Sequence, residues 1–175
     1  FTANQNIFGK VYFPRLVTPI SIVISNLMRF GVQFLLFLMV WIYYLFKGEI
    51  QPNIWIVATP FLIVLMAFFA LGTGMIFSSL TTKYKDLSML LVFGVNLYMY
   101  ATPVIYPTSS LPVFFKKLAF YNPLTGIFEC FKYAWLGVGD FSPVMLIVSS
   151  FIILLLLIAG TLIFNKVEKT FMDTV

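Results

Sequence analysis

The 175-residue chain contains no histidine. That absence removes imidazole acid–base catalysis, Ser-His-Asp triads and the commonest zinc and haem ligation together. Its single cysteine, Cys130, can form no internal disulfide and says little about redox compartment. Charge is scarce as well. Eleven Lys and Arg with six Asp and Glu make up 10% of the chain, against about 25% in an ordinary soluble domain. So few charges cannot clothe a globule of this size, and a hydrophobic content of 61% rules out disorder. No Gly-x-x-x-x-Gly-Lys-Ser/Thr motif occurs. Gly72-Thr-Gly74 lacks the lysine of a phosphate loop and reads as a point of close helix packing. No carboxylate pair suits a catalytic site, so the chain offers no catalytic residue and no metal ligand set. What remains is an all-α polytopic membrane protein. Its net charge of +5 then reports topology rather than nucleic-acid binding.

A helix rises 1.5 Å per residue and the hydrocarbon core is about 30 Å thick, so a span needs about 20 apolar residues. Four runs qualify: 19–46, 54–80, 87–105 and 143–164. Lys10, Arg15 and Arg29 fall before or early in the first. Lys83 and Lys85 separate the second from the third, and Lys166 and Lys169 follow the fourth. Lys47, Lys116, Lys117 and Lys132 fall on the other side. The positive-inside rule places the richer side, and with it both ends of the chain, in the cytoplasm. Arg29 then snorkels at the inner interface or lines the inner mouth of a pathway.

Two segments do not fit plain spans. Residues 1–18 place Ile7, Phe8, Val11 and Tyr12 on one helical face, ahead of Pro14. Such a helix lies on the inner interface or presents its polar face to a cytoplasmic partner. Residues 107–140 are apolar but broken at Asn122-Pro123. Each half is too short to cross, which predicts a re-entrant segment facing a cavity on the outer side. Glu129 and Lys132 stand i, i+3 in it, the spacing of an ion pair that lowers the cost of both charges. Aromatics cluster nearby: Tyr98, Tyr100, Tyr106, Tyr121, Tyr133 and Trp135. An interfacial belt accounts for such residues. So does a path for sugar rings, which stack on aromatic faces while hydroxyls and indole N–H meet their hydroxyl groups.

Three stretches carry a family resemblance. Lys10-Val-Tyr-Phe-Pro-Arg15 precedes a span, Ala101-Thr-Pro-Val-Ile-Tyr-Pro107 ends a later one, and Asn122-Pro-Leu-Thr125 lies in the broken segment. In this order they resemble the membrane-spanning permease subunit of type 2 ABC exporters of polysaccharide, the class that carries O-antigen, capsule or teichoic acid. The resemblance extends over nearly the whole chain. It implies two further spans ahead of Phe1, six in all, and a location in the bacterial inner membrane. It implies a homodimer above two ATP-binding cassette subunits, with ATP and Mg bound by those partners and no cofactor on this chain. Residues Phe8, Lys10, Tyr12, Phe13, Pro14 and Arg15 would belong to a coupling helix seated on the ATPase. Asn122, Pro123, Glu129 and Lys132 would belong to an outer gate, and the substrate would be a lipid-linked glycan.

Other readings remain. The same fold could export a drug, a lipid or a lipo-oligosaccharide. An ion-coupled transporter or channel would usually carry intramembrane acidic or histidine relays, and this sequence lacks them.

Overall fold

The computed structural model describes residues 17–84, 86–103 and 112–172. Among the described residues the chain is helical: α1 (Val17–Phe46), a 3-10 turn (Ile54–Ala58), α2 (Thr59–Lys83), α3 (Leu87–Ala101), α4 (Val113–Tyr121), α5 (Pro123–Leu136) and α6 (Pro143–Met172). Among these described residues three stretches are long and apolar enough to cross a membrane: Val17–Phe46, Ile54–Thr81 and Pro143–Val167. The third expected span is shorter than the sequence suggests. It stops at Ala101 rather than 105, and 15 residues rise only about 22 Å. Pro103 is the cause: the residue before a proline is pushed out of helical geometry, and Thr102 is extended at φ −91°, ψ 131°. The last helix continues past the expected end at 164 to Met172.

Local chemistry sets the other boundaries. The Asn53 side chain accepts from Ile54 N–H at 2.7 Å and starts the 3-10 turn, and Pro60 opens α2. Asn122 caps α5 by accepting from Leu124 N–H at 3.1 Å, and Pro123 follows it as the first helical residue. Gly137, at φ +71°, ends α5 in the left-handed region that glycine tolerates. Hydroxyls inside the spans bond their own backbone: Thr73 to Phe69, Ser79 to Met75, Ser150 to Leu146 and Thr161 to Leu157.

The core is the packing of α2 on α6, joined by α5. Leu62, Leu65, Ile127, Cys130, Leu146 and Ile153 form its buried apolar cluster. Lipid is as apolar as leucine, so close backbone approach rather than burial from water favours this contact. A Cβ at Gly72 would lie 2.8 Å from the Leu157 nitrogen, and one at Gly160 would collide with the Gly72 carbonyl.

The connections define two ends of the bundle. At the upper end, the link between α1 and α2 meets the link between α5 and α6. Asn53 N–H donates to the Ala134 carbonyl at 2.9 Å, the Trp55 and Phe141 rings lie 4.9 Å apart, and Gly137 packs on the Gln51 carbonyl. The link between α2 and α3 forms the lower end, where Leu87 N–H donates to the Tyr84 carbonyl at 3.2 Å. From there α3 runs up to Tyr98, whose ring stacks on Phe69 at 6.2 Å. Phe69 lies ten residues into α2, about 15 Å below its upper start. α4 descends towards this level and α5 climbs from it back to the upper end. Lys116 of α4 pairs with Asp140 at the top at 3.0 Å, and Asn122 meets Tyr98 at the bottom at 2.7 Å.

Candidate functional site

The polar groups of the described residues concentrate where the end of α3 meets the α4–α5 hairpin. Asn122 is the centre of one cluster. Its Oδ1 accepts from the Tyr98 hydroxyl at 2.7 Å and from Leu124 N–H at 3.1 Å. Its Nδ2 donates to Thr102 Oγ1 at 3.1 Å, and Thr102 Oγ1 donates to the Tyr98 carbonyl at 3.0 Å. The amide therefore caps a helix and grips the end of another at once. Thr102 is 1% exposed, so these bonds stand in a medium where a lost partner is costly.

The second cluster is ionic. Glu129 is 1% exposed and its Oε1 pairs with Lys132 Nζ at 3.2 Å, the geometry expected from i, i+3 spacing. Lys132 Nζ also donates to the Pro103 carbonyl at 2.7 Å. Glu129 Oε2 accepts from Asp140 N–H at 3.1 Å, beside Gly139 at φ +123°. The pair thus neutralises itself and bridges from the end of α3 to the connection that starts α6. Thr125 Oγ1 and Ser149 Oγ are also buried here, without a hydrogen-bond partner among the described residues.

The aromatics divide by exposure. Tyr100 and Tyr121 are exposed, at 66% and 68%. Tyr98 and Tyr121 join Asn122, Phe115 and Pro112 around an open cleft of about 710 Å³ between α3, α4 and α5. Tyr133 is half-buried and stacks on Phe141 at 5.4 Å. Trp135 stands apart from this cleft. It is 6% exposed, enclosed by Phe34, Phe37 and Trp41 of α1 and by Phe131. Its indole N–H donates to Thr59 Oγ1 at 3.0 Å, and its carbonyl accepts from the Trp41 indole at 2.7 Å. Trp135 is a packing hub that seats α5 on α1 and α2.

Tyr106, Phe8, Lys10, Tyr12, Phe13, Pro14 and Arg15 lie outside the described residues. Sequence reasoning did not single out Thr102, Asp140 or the Pro103 carbonyl. Thr102 and Pro103 sit inside the Ala101–Pro107 stretch, where the helix-ending proline was the available clue. Asp140 carried no such clue, since its partner Lys116 lies 24 residues away in the sequence.

Among the described residues, three membrane-length apolar helices and a pair of short helices ahead of the last of them define a class, and comparison identifies it. Residues 10–136 match the model of the ABC-2 type transporter family, and the chain belongs to that family. It is 32% identical over 176 residues to an O-antigen export system permease protein RfbA of Klebsiella pneumoniae, covering 99% of this chain and 65% of that protein. A second Klebsiella pneumoniae protein of the same description is 29% identical over 174 residues, again at 99% and 65%. One from Myxococcus xanthus is 29% identical over 108 residues, 62% of this chain and 40% of that protein. The chain thus spans just under two thirds of the length of the Klebsiella relatives it matches.

Proposed function

We propose that this chain is the larger part of the permease subunit of an ATP-driven exporter that moves a lipid-linked polysaccharide across the bacterial inner membrane. The observation that carries the cargo is the cleft at the end of α3. Tyr98, Tyr100 and Tyr121 offer it aromatic faces and hydroxyls, and Asn122 adds an amide. A polymer that slides needs many weak, sequence-tolerant contacts rather than one tight site, and such a lining suits it. Membership of the ABC-2 family and the O-antigen permease relatives support the same reading.

In this reading α3 is the third of the four spans in this chain. It leads from the lower to the upper half of the bundle, and the re-entrant α4–α5 hairpin fills the outer half above it. Both ends of the chain are cytoplasmic. The energy comes from a partner ATPase that binds ATP and Mg, and Phe8–Arg15 couple the permease to it. Two copies of the chain enclose the path. The uncovered stripe of Met28, Val32, Leu36 and Met39 on α1 and the absence of a buried residue on α3 leave apolar surface for the second copy and for lipid.

The test is reconstitution of the full-length permease with its ATP-binding subunit in proteoliposomes. ATP-dependent movement of a polyprenyl-linked glycan, abolished when the ATPase is inactive, is the expected result. Movement driven by an ion gradient without the ATPase, or of drugs and lipids but not glycan, overturns it.

A further inference from the structure

We infer that Arg29 binds a phosphate of the substrate in transit, from a polar edge of α1 that it shares with Ser25, Asn26 and Gln33 at the middle of the membrane. The inference rests on the exporter reading above and adds the place where the path meets the charge of its substrate.

The depth of Arg29 follows from the neighbours of α1. Trp135 bonds both Trp41 of α1 and Thr59 of α2, which sets those two residues at one level. Lower down, Ile22 and Val23 line a recess with Ala70, Leu71 and Gly74 of α2. Arg29 lies 12 residues below Trp41, about 18 Å, and six above Val23, about 9 Å. Both distances place it beside 66–71 of α2, around the midpoint of the apolar stretch Ile54–Thr81. Its place in the sequence suggests the inner interface or the inner mouth of a pathway. In the fold it stands deeper, about 15 Å from either surface of the hydrocarbon core, further than its side chain extends.

Between Ile22 and Val40 the polar side chains are Ser25, Asn26, Arg29 and Gln33, and all four are exposed. At about 100° per residue they fall within one arc of about 100°, beside the apolar stripe of Met28, Val32 and Met39. Asn26 gives one amide hydrogen to the Ile22 carbonyl at 3.0 Å, and its Oδ1 is left to accept. Arg29 and Gln33 meet no hydrogen-bond or ion-pair partner among the described residues. An unpaired guanidinium at this depth does not face hydrocarbon. The carboxylates of this chain, or of a second copy, are poorly placed to pair with it. Glu49 and Asp140 belong to the upper connections, Asp86 to the lower link, and Glu168 and Asp173 follow the last apolar run. Glu129 is 1% exposed and already held by Lys132 and Asp140 N–H. The headgroup phosphates of the bilayer stay at its surfaces. The substrate is what passes this depth. A guanidinium takes a phosphate through two parallel N–H···O bonds, and the amides beside it suit the hydroxyl groups of a sugar.

The test uses the full-length permease with its ATP-binding subunit in lipid nanodiscs, with every native cysteine replaced. The reporter is Gln33→Cys, one helical turn above Arg29. Its labelling rates are measured with an anionic and a cationic methanethiosulfonate of similar size. Both reagents react, because the edge borders water. In Arg29→Gln the ratio of anionic to cationic rate falls about tenfold, the effect on both reagents of removing one charge about 6 Å away in water. Farnesyl diphosphate slows labelling several-fold in the parent and not in Arg29→Gln, and farnesol slows neither. Arg29→Lys keeps the charge and with it the ratio. No reaction with either reagent overturns the inference, since the edge is then covered. An unchanged ratio in Arg29→Gln also overturns it, because a protein carboxylate then neutralises Arg29. Equal protection by farnesol and farnesyl diphosphate overturns the assignment of phosphate. If Arg29→Gln fails to assemble by gel filtration, the farnesol comparison in the parent decides alone. ATP-dependent movement of a polyprenyl-linked glycan is measured alongside. Its absence in the parent complex overturns the exporter reading, whereas movement at the full rate in Arg29→Gln overturns only the inference.

Discussion

Cys130 is fully enclosed between α5 and the α2–α6 core. A thiol so enclosed must be uncovered before a reagent can reach it. Native protein should therefore resist N-ethylmaleimide for minutes and label fully once unfolded in detergent. Rapid native labelling would mean that α5 lifts from the core. The aromatics teach the opposite lesson about reading single residues. Tyr121 and Trp135 look alike in the sequence, two aromatics in one broken apolar segment. Tyr121 is 68% exposed and Trp135 only 6%. The difference is made by Trp41, 94 residues away, and by Thr59, 76 away. Spacing along one helix carries no information about such partners. The Glu129–Lys132 pair was legible because both members stand on one turn of one helix. Its further bonds to Pro103 and Asp140 were not, because they depend on how the hairpin folds back.

At the level of helices, the packing of α2 on α6 turns on two glycines. Gly160→Ala would drive a Cβ into the Gly72 carbonyl, where backbone cannot yield without separating the helices. A loss of about 1–3 kcal/mol is expected, as for overpacking in a filled core. Gly74→Ala meets nothing within 4 Å and should be neutral or stabilising by up to about 1 kcal/mol, because alanine favours the helix. Thermal unfolding in detergent separates the two, and equal effects would contradict the close approach at Gly72. The Gly-Thr-Gly motif marked the right helix for close packing. It did not tell Gly72 from Gly74, since that choice belongs to the position of α6. The break between the two short helices follows from Asn122-Pro123, because cap and proline are both local signals. The end of α3 was placed at 105 because hydropathy continues there. The backbone effect of Pro103 ends the helix at Ala101 instead, at a point where composition does not change.

For the molecule as a whole, the open matter is sidedness, and the fold makes it testable. The connections around Asn53 and Gly137 share one end, and the link between α2 and α3 at Tyr84 lies at the other. A short α3 therefore still carries the chain from one half of the bundle to the other, because the hairpin comes down to meet it at the level of Phe69. If that turn faces the cytoplasm, α4 faces outward. In cells expressing the full-length protein without other cysteines, Phe114→Cys, at 71% exposure, should react with a membrane-impermeant maleimide from outside. Tyr84→Cys, at 53%, should react only after the membrane is permeabilised. A probe at Thr125 would be silent from either side, since that residue is fully buried. Labelling of both reporters from one side would mean that α3 does not cross. Reversed labelling would invert the protein and put the aromatic cleft at the cytoplasmic mouth. In that case the excess of Lys and Arg around the Tyr84 turn would lie outside, against the positive-inside bias that oriented the chain. The expected pattern keeps charge, contact and cleft in one frame: cations inside, the hairpin outside, and α3 as the element that joins them.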